Sequence, residues 1–177
     1  MIIKKADYIS IPSIGIVMHM FDDFLIASKN EKNNIERMNI DIKKYYIESP
    51  IVSPYFIENL IGNIFLIGKN GIIYSYGKDK DVKKISEKLS LPSYRIKTKY
   101  LFGSISKLYN NKLLISQELS DKIIEKVKEI TGYIIDIGSI NFGSPYLRYG
   151  IEINKEYLII GKYSTGHEIV KVEEFFS

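Results

Sequence analysis

Cysteine is absent from the 177 residues. That excludes disulfides, thiolate metal sites and cysteine nucleophiles together, and it gives weak support for a reducing compartment. Tryptophan is absent too, and histidine occurs only twice, as His19 and His167. His19 falls in a strand pattern between Met18 and Met20, where a structural role outweighs a catalytic one. His167 stands beside Thr165 and Glu168 with no third ligand in sequence reach, so no metal is expected. No apolar run has membrane-spanning length. The opening MIIKKADYIS lacks the apolar core and cleavage site of a secretory signal. The expectation is a cytoplasmic protein with no membrane partner. No Pro/Ser/Gly-rich linker interrupts the chain, so residues 1–177 read as one domain.

Acids are scarce in one place. The chain carries a net +4 charge with a sequence pI of about 9.0. From Lys78 to Lys112, ten basic residues stand against three acids. Such a region is a plausible footprint for a polyanion such as RNA, and a solvated lysine-rich surface is the plainer alternative. The acidic pairs Asp22-Asp23 and Glu173-Glu174 read as exposed acids, not as a general acid/base couple. Gly138, Gly143, Gly150 and Gly161 lack the strand-Gly-x-Gly-x-x-Gly-helix order of a phosphate-binding loop and read as turn glycines.

What the chain does contain is repetition. Four places read as an apolar residue, a glycine, a strand, a polar turn and a second strand. They start at Ile14-Gly15, Ile61-Gly62, Phe102-Gly103 and Tyr149-Gly150. The expected turns are Asp22-Asp23, Asn70-Gly71, Asn110-Asn111 and Asn154-Lys155, since Asn, Asp and Gly tolerate the positive φ of tight hairpins. A helical pattern follows each hairpin. In the first unit Ile35, Met38 and Ile42 have helical spacing, and in the second Val82, Ile85 and Leu89 do. In the third, Ser120 is the N-cap, Ile123, Ile124, Val127 and Ile130 form the stripe, and Gly132 fits C′. In the fourth, Thr165 and Glu168 have capping-box spacing ahead of Ile169, Val172 and Phe176.

A strand is expected after each of the first three helices, at Tyr45 to Ser49, Tyr94 to Lys99 and Tyr133 to Ile140. In the Tyr94 segment, Arg95, Lys97 and Lys99 share one face opposite Tyr94, Ile96 and Thr98. A strand with one basic face suits contact with phosphates, and Lys83 and Lys84 on the preceding helix extend that charge. The fourth unit stops at its helix, while Met1 to Tyr8 forms an unassigned strand. Using that strand to complete the fourth unit would close a ring and remove exposed edges.

The final stretch, GSINFGSPYLRYGIEINKEYLIIGKYSTGHEIVKVEEFF, resembles the C-terminal unit of the archaeal translation initiation factor 6 family of ribosome anti-association factors. Gly138, Ser139, Asn141, Gly143 and Ser144 match the family's first turn. Asn154 matches its hairpin, and Thr165, Gly166 and Glu168 match its helix start. Ile11 to Val17, IPSIGIV, is similar to the opening strand of the family. His167 departs from the family's proline, and Glu156-Tyr157 from its Lys-Gly.

The resemblance implies an α+β fold, a pentein-like ring (α/β propeller) of strand-strand-helix-strand units. Four units are counted here where the family has five. It also implies a non-enzymatic protein with no cofactor. Its partner would be the large ribosomal subunit, both ribosomal protein and rRNA, with joining to the small subunit blocked by occlusion. No small-molecule substrate is expected. Two alternatives stand beside this reading. One is a structural paralogue that assembles with itself, and the other an unidentified small-molecule activity on the same architecture.

Overall fold

Short apolar runs on either side of polar turns fold as antiparallel hairpins, four times over, in a computed structural model that describes residues 1–7, 14–47 and 61–177. Strand β1 (Ile2–Lys5) comes first. The first unit has a one-turn helix α1 (Ile14–Val17), hairpin strands β2 (Met18–Met20) and β3 (Phe24–Ser28), helix α2 (Lys32–Arg37) and strand β4 (Lys43–Ile47). The second has α3 (Ile61–Ile64), β5 (Phe65–Gly68), β6 (Gly71–Tyr74), α4 (Asp79–Leu89) and β7 (Ser93–Arg95). The third has β8 (Ser106–Tyr109), β9 (Lys112–Ser116), α5 (Asp121–Thr131) and β10 (Ile134–Gly138). The fourth has α6 (Leu147–Gly150), β11 (Ile151–Ile153), β12 (Tyr157–Ile160) and α7 (Gly166–Phe176).

Each unit makes one three-stranded sheet, and all four sheets are built alike. The second hairpin strand lies in the middle, antiparallel to the first and parallel to the closing strand. In the fourth sheet the closing strand is β1, paired parallel to β12 from Ile2 opposite Tyr157 to Lys5 opposite Ile160. Ala6 N extends the ladder by donating to Ile160 O at 2.8 Å. The leftover strand expected from the sequence therefore completes the fourth unit, although Tyr8 lies outside the described residues.

Three buried clusters bind the units to one another. Ile14, Leu25 and Ile35 of the first unit pack with Tyr157 and Ile159 of the fourth. Leu114 and Ile140 pack with Leu147, Leu158 and Val172 of the fourth. Leu66, Ile73 and Ile96 of the second unit share a core with Phe102, Leu113 and Val127 of the third. These contacts run from first to fourth, fourth to third and third to second.

Several expectations need correction. Three of the four anchor glycines do not lead directly into a strand, while Gly150 does, with β11 starting at Ile151. Gly15 sits inside the one-turn helix α1, Gly62 inside α3, and Phe102-Gly103 inside a turn before β8. The reason is crowding between units. A Cβ on Gly15 would stand 2.2 Å from Arg148 O, so only glycine lets the two helical turns meet. The position equivalent to Gly15 in the fourth unit is Arg148, not Gly150, because α6 and β11 start at Leu147 and Ile151 as α1 and β2 start at Ile14 and Met18.

Two hairpin turns shift by one residue. Gly68 pairs with Gly71, so the second loop is Lys69-Asn70. In the fourth, Asn154 N donates to Tyr157 O, which leaves Lys155-Glu156 at the tip. Helix α2 ends early because Asn39 takes φ +49°, so Ile42 falls beyond it and Ile40 is buried instead. Leu89 closes α4 largely exposed, at 47%. Strand β7 is shorter than Tyr94 to Lys99. Its partner β6 ends at Tyr74, so the ladder stops when Ile96 N reaches Tyr74 O at 2.8 Å. Strand β10 stops at Gly138 for the same reason, since β9 ends at Ser116. Strand β4 starts two residues early, at Lys43, and Glu48 and Ser49 lie outside the described residues.

Candidate functional site

The basic edge of the second unit is built from α4 and β7. Helix α4 buries Val82 and leaves Lys83 and Lys84 exposed. Past the end of β7 the backbone keeps the alternation of the strand. Ile96 is buried at 1%, while Arg95, Lys97 and Lys99 are exposed. The five cations read from the sequence are therefore all at the surface. Two of them have local partners. Arg95 Nη1 pairs with Asp79 Oδ1 at 2.9 Å, and the same oxygen accepts the Tyr74 hydroxyl at 2.9 Å. This ties the start of α4 to the sheet. Lys99 Nζ lies 4.9 Å from the centre of the Tyr100 ring, and its hydrogen bond to Tyr100 raises its pKa. Lys107, counted in the same basic stretch, is not on this edge at all, because it is buried elsewhere.

The turn residues of the fourth unit meet at one carboxylate. Thr165 caps α7, its hydroxyl accepting from Glu168 N at 3.2 Å, and Glu168 Oε2 accepts from Thr165 N at 2.8 Å. That is the expected capping box, with Gly166 as the first helical residue. The same carboxylate also accepts from Ser139 Oγ at 2.9 Å, Phe142 N at 3.1 Å and Gly143 N at 2.8 Å. Burial alone would push the Glu168 pKa up. The hydrogen bonds from Thr165, Gly143, Ser139 and Phe142 outweigh it and hold the group below the usual 4.5. Asn141, Phe142 and Gly143 take φ of +51°, +64° and +86° in succession, a left-handed turn that the carboxylate cinches. Ser144 closes the loop by bonding Ile140 in both directions, at 2.7 and 3.1 Å. Asn141 packs on Gly161 and donates its N–H to Ser164 Oγ at 3.1 Å.

Asn154 and Glu152 join units. Asn154 Oδ1 accepts from Glu156 N and Tyr157 N at 2.9 and 2.7 Å, and its Nδ2 donates to Phe21 O of the first unit at 3.1 Å. Glu152 Oε2 accepts from Met20 N of the first unit at 3.1 Å and pairs with Lys107 Nζ of the third at 3.1 Å. Both side chains of this ion pair are almost fully buried. Burial pushes the Lys107 pKa down, opposed by the Glu152 charge and aided by nearby Arg148. Lys107 also lines a cavity of about 350 Å³ whose walls come from all four units, with Met20, Asp22, Lys69, Tyr109 and Ile153 among them.

The sequence reading anticipated Thr165, Glu168 and Asn154 as turn and cap residues. It did not anticipate that Glu168 gathers three further bonds, or that Glu152 and Lys107 tie units together. No local signal marked them, because a lone charge in a strand, as in SISKLY and GIEIN, ordinarily reads as a solvent-facing position. Among the described residues, no group of three or more His, Asp or Glu is placed to hold a metal. His167 is exposed beside a shallow cavity with Asp136 and Lys171, and the side chain of His19 lies outside what is described. Among the described residues, no helix is long and apolar enough to cross a membrane.

The sequence of residues 57–175 matches the model of the eIF-6 family. The chain belongs to that family. A protein of Pyrococcus abyssi named translation initiation factor 6 is 30% identical over 143 residues, covering 79% of this chain and 63% of that relative. The proteins of the same name from Saccharolobus islandicus and Methanosarcina acetivorans are 30% and 28% identical over 118 and 122 residues, or 53% and 55% of their own lengths. These eIF-6 relatives are named as translation initiation factors, not as enzymes. The chain thus spans somewhat under two thirds of the length of the curated relatives it matches. The matched region contains both the basic edge of α4 and β7 and the Glu168-centred turns.

Proposed function

We propose that this protein is a translation initiation factor that binds the large (50S) ribosomal subunit and prevents its premature association with the small one. The observation that carries the reading is the eIF-6 family match across residues 57–175. The exposed cations Lys83, Lys84, Arg95, Lys97 and Lys99 are the rRNA-facing group in this account. Phosphate contacts of this kind supply affinity through counterion release. The reading takes residues 1–177 as one domain, a ring of four units in the cytoplasm. Three features support a ring: the four identical sheet topologies, the β1–β12 pairing, and a cavity walled by every unit. Binding by a rigid ring needs no cofactor and no small-molecule substrate. It needs one complementary face.

Co-sedimentation with archaeal large subunits across a salt series is the test. The wild type is expected in the subunit fraction at low salt and is lost as salt rises. The variant carrying Arg95→Glu, Lys97→Glu and Lys99→Glu is expected to bind at least ~100-fold more weakly near physiological salt and to lose about three units of salt slope. Equal binding by the variant would clear these residues of the role. No co-sedimentation of the wild type even at low salt would overturn the reading.

A further inference from the structure

Asn70-Gly71 is the one place in the chain where asparagine precedes glycine. Such a pair is chemically labile, because a residue without a Cβ lets its backbone nitrogen reach the asparagine side chain. The structure shows why glycine is needed there. Gly71 takes φ +143°, and a Cβ on it would stand 2.8 Å from the Tyr94 ring and 2.9 Å from Pro92 O. Gly71 is buried and is the first rung of the β5–β6 ladder, paired with Gly68. The next residue is held too, with Ile72 N donating to Pro92 O at 2.8 Å.

Asn70 also ties the second unit to the third. Its Nδ2 donates to Thr131 O at 2.6 Å, and its backbone N–H donates to Tyr133 Oη at 3.2 Å. Thr131 is buried and is the last residue of α5, so the Asn70 amide satisfies a carbonyl at the negative end of a helix in another unit. Both groups that would react are therefore held in the closed fold. The side-chain amide is fixed on Thr131, and the Gly71 backbone is fixed by the ladder and by Pro92 and Tyr94. An aspartate in place of Asn70 would be wrong in two ways. It has no N–H to give Thr131, and it sets a negative charge against a carbonyl at a helix C-terminus.

We propose that Asn70 is a site of spontaneous deamidation that reacts only when the hairpin tip of the second unit parts from the end of α5, and that the product keeps this join from re-forming. The Gly71 nitrogen attacks Asn70 Cγ, the bond from Cγ to Nδ2 breaks, and Nδ2 leaves as ammonia with the proton from Gly71. Water then opens the cyclic imide, its hydroxyl going to a carbonyl carbon and its proton to the nitrogen, which leaves aspartate or isoaspartate. The join thus keeps a one-way record of its own opening. Local opening costs less than global unfolding, so the reaction does not require the whole ring to unfold. The proposal rests on the fold alone and not on the ribosomal reading.

The wild-type protein is incubated at mildly alkaline pH, folded and in unfolding urea, and mass spectrometry follows the amide-to-acid change in the peptide containing Asn70. The folded chain is expected to react at least ~tenfold more slowly than the unfolded one. Equal rates overturn the gate. Asn70→Asp is expected to melt about 4–8 °C below the wild type, with Asn70→Ala between them, because alanine loses the hydrogen bond without adding the charge. Asn70→Asp melting with the wild type, or above Asn70→Ala, overturns the effect assigned to the product. The rate comparison uses no variant, so it decides the gate even if Asn70→Asp fails to fold.

Discussion

Two ion pairs of similar length sit at opposite extremes of this molecule. Arg95–Asp79 spans 2.9 Å on the second unit, with side chains 46% and 67% exposed. Lys107–Glu152 spans 3.1 Å between the third and fourth units, with side chains 7% and 1% exposed. The first belongs to a surface whose other charges are open to solvent. The second belongs to a join in which Glu152 also holds the first unit through Met20 N. The difference teaches where each kind of charge acts. Exposed charge contributes little to stability because water and salt screen it, so it is available for a partner. Buried charge fixes which surfaces meet, because an unpaired ion there is costly.

The comparison breaks first at Lys107. Lys107→Met leaves the Glu152 carboxylate buried without its cation, and a loss of about 3–5 kcal/mol in urea unfolding is expected. A loss under about 1 kcal/mol would mean that the join does not depend on the pair. The next effect is at Glu168, whose carboxylate serves cap and turn together. Glu168→Ala is expected to cost about 2–3 kcal/mol. The pKa of this group is lowered on folding, so its contribution is present above the unfolded-state value and lost as pH falls through the folded value. Wild-type stability should therefore fall more steeply than that of Glu168→Gln between about pH 5 and pH 3. Parallel curves would remove Glu168 from the account. The smallest effect is at the exposed pair, where Arg95→Ala should change stability by less than about 1 kcal/mol.

Local signals carried most of the fold in the sequence. Gly132 and the Thr165-Glu168 box marked helix ends because caps act within one turn of chain, whereas Ser120 holds the N-cap position of α5 without a side-chain hydrogen bond. The β1–β12 pairing was legible by elimination, as one strand was left over and one unit lacked its third. The hairpin tips were off by one at Asn70 and Asn154, since turn propensity marks the residue type and the ladder register decides the tip. The alternating cations of the Tyr94 segment were legible for a simple reason. Burial of Ile96 fixes the period even where the ladder has ended. What the sequence concealed was long-range. Lys107 meets Glu152 and Asn154 meets Phe21 only through the packing of units, and no local pattern encodes a partner far along the chain. The exposure of Phe142 was hidden in the same way, because its turn is set by a helix cap 26 residues later.

The most direct test of the account is subunit joining. Archaeal large and small subunits are mixed at a fixed magnesium concentration, and light scattering follows the formation of the joined particle. Prior saturation of the large subunit with wild-type protein is expected to suppress joining. The variant with glutamate at 95, 97 and 99, at the same concentration, is expected to leave it intact. Undiminished joining with the wild type bound would contradict the central claim.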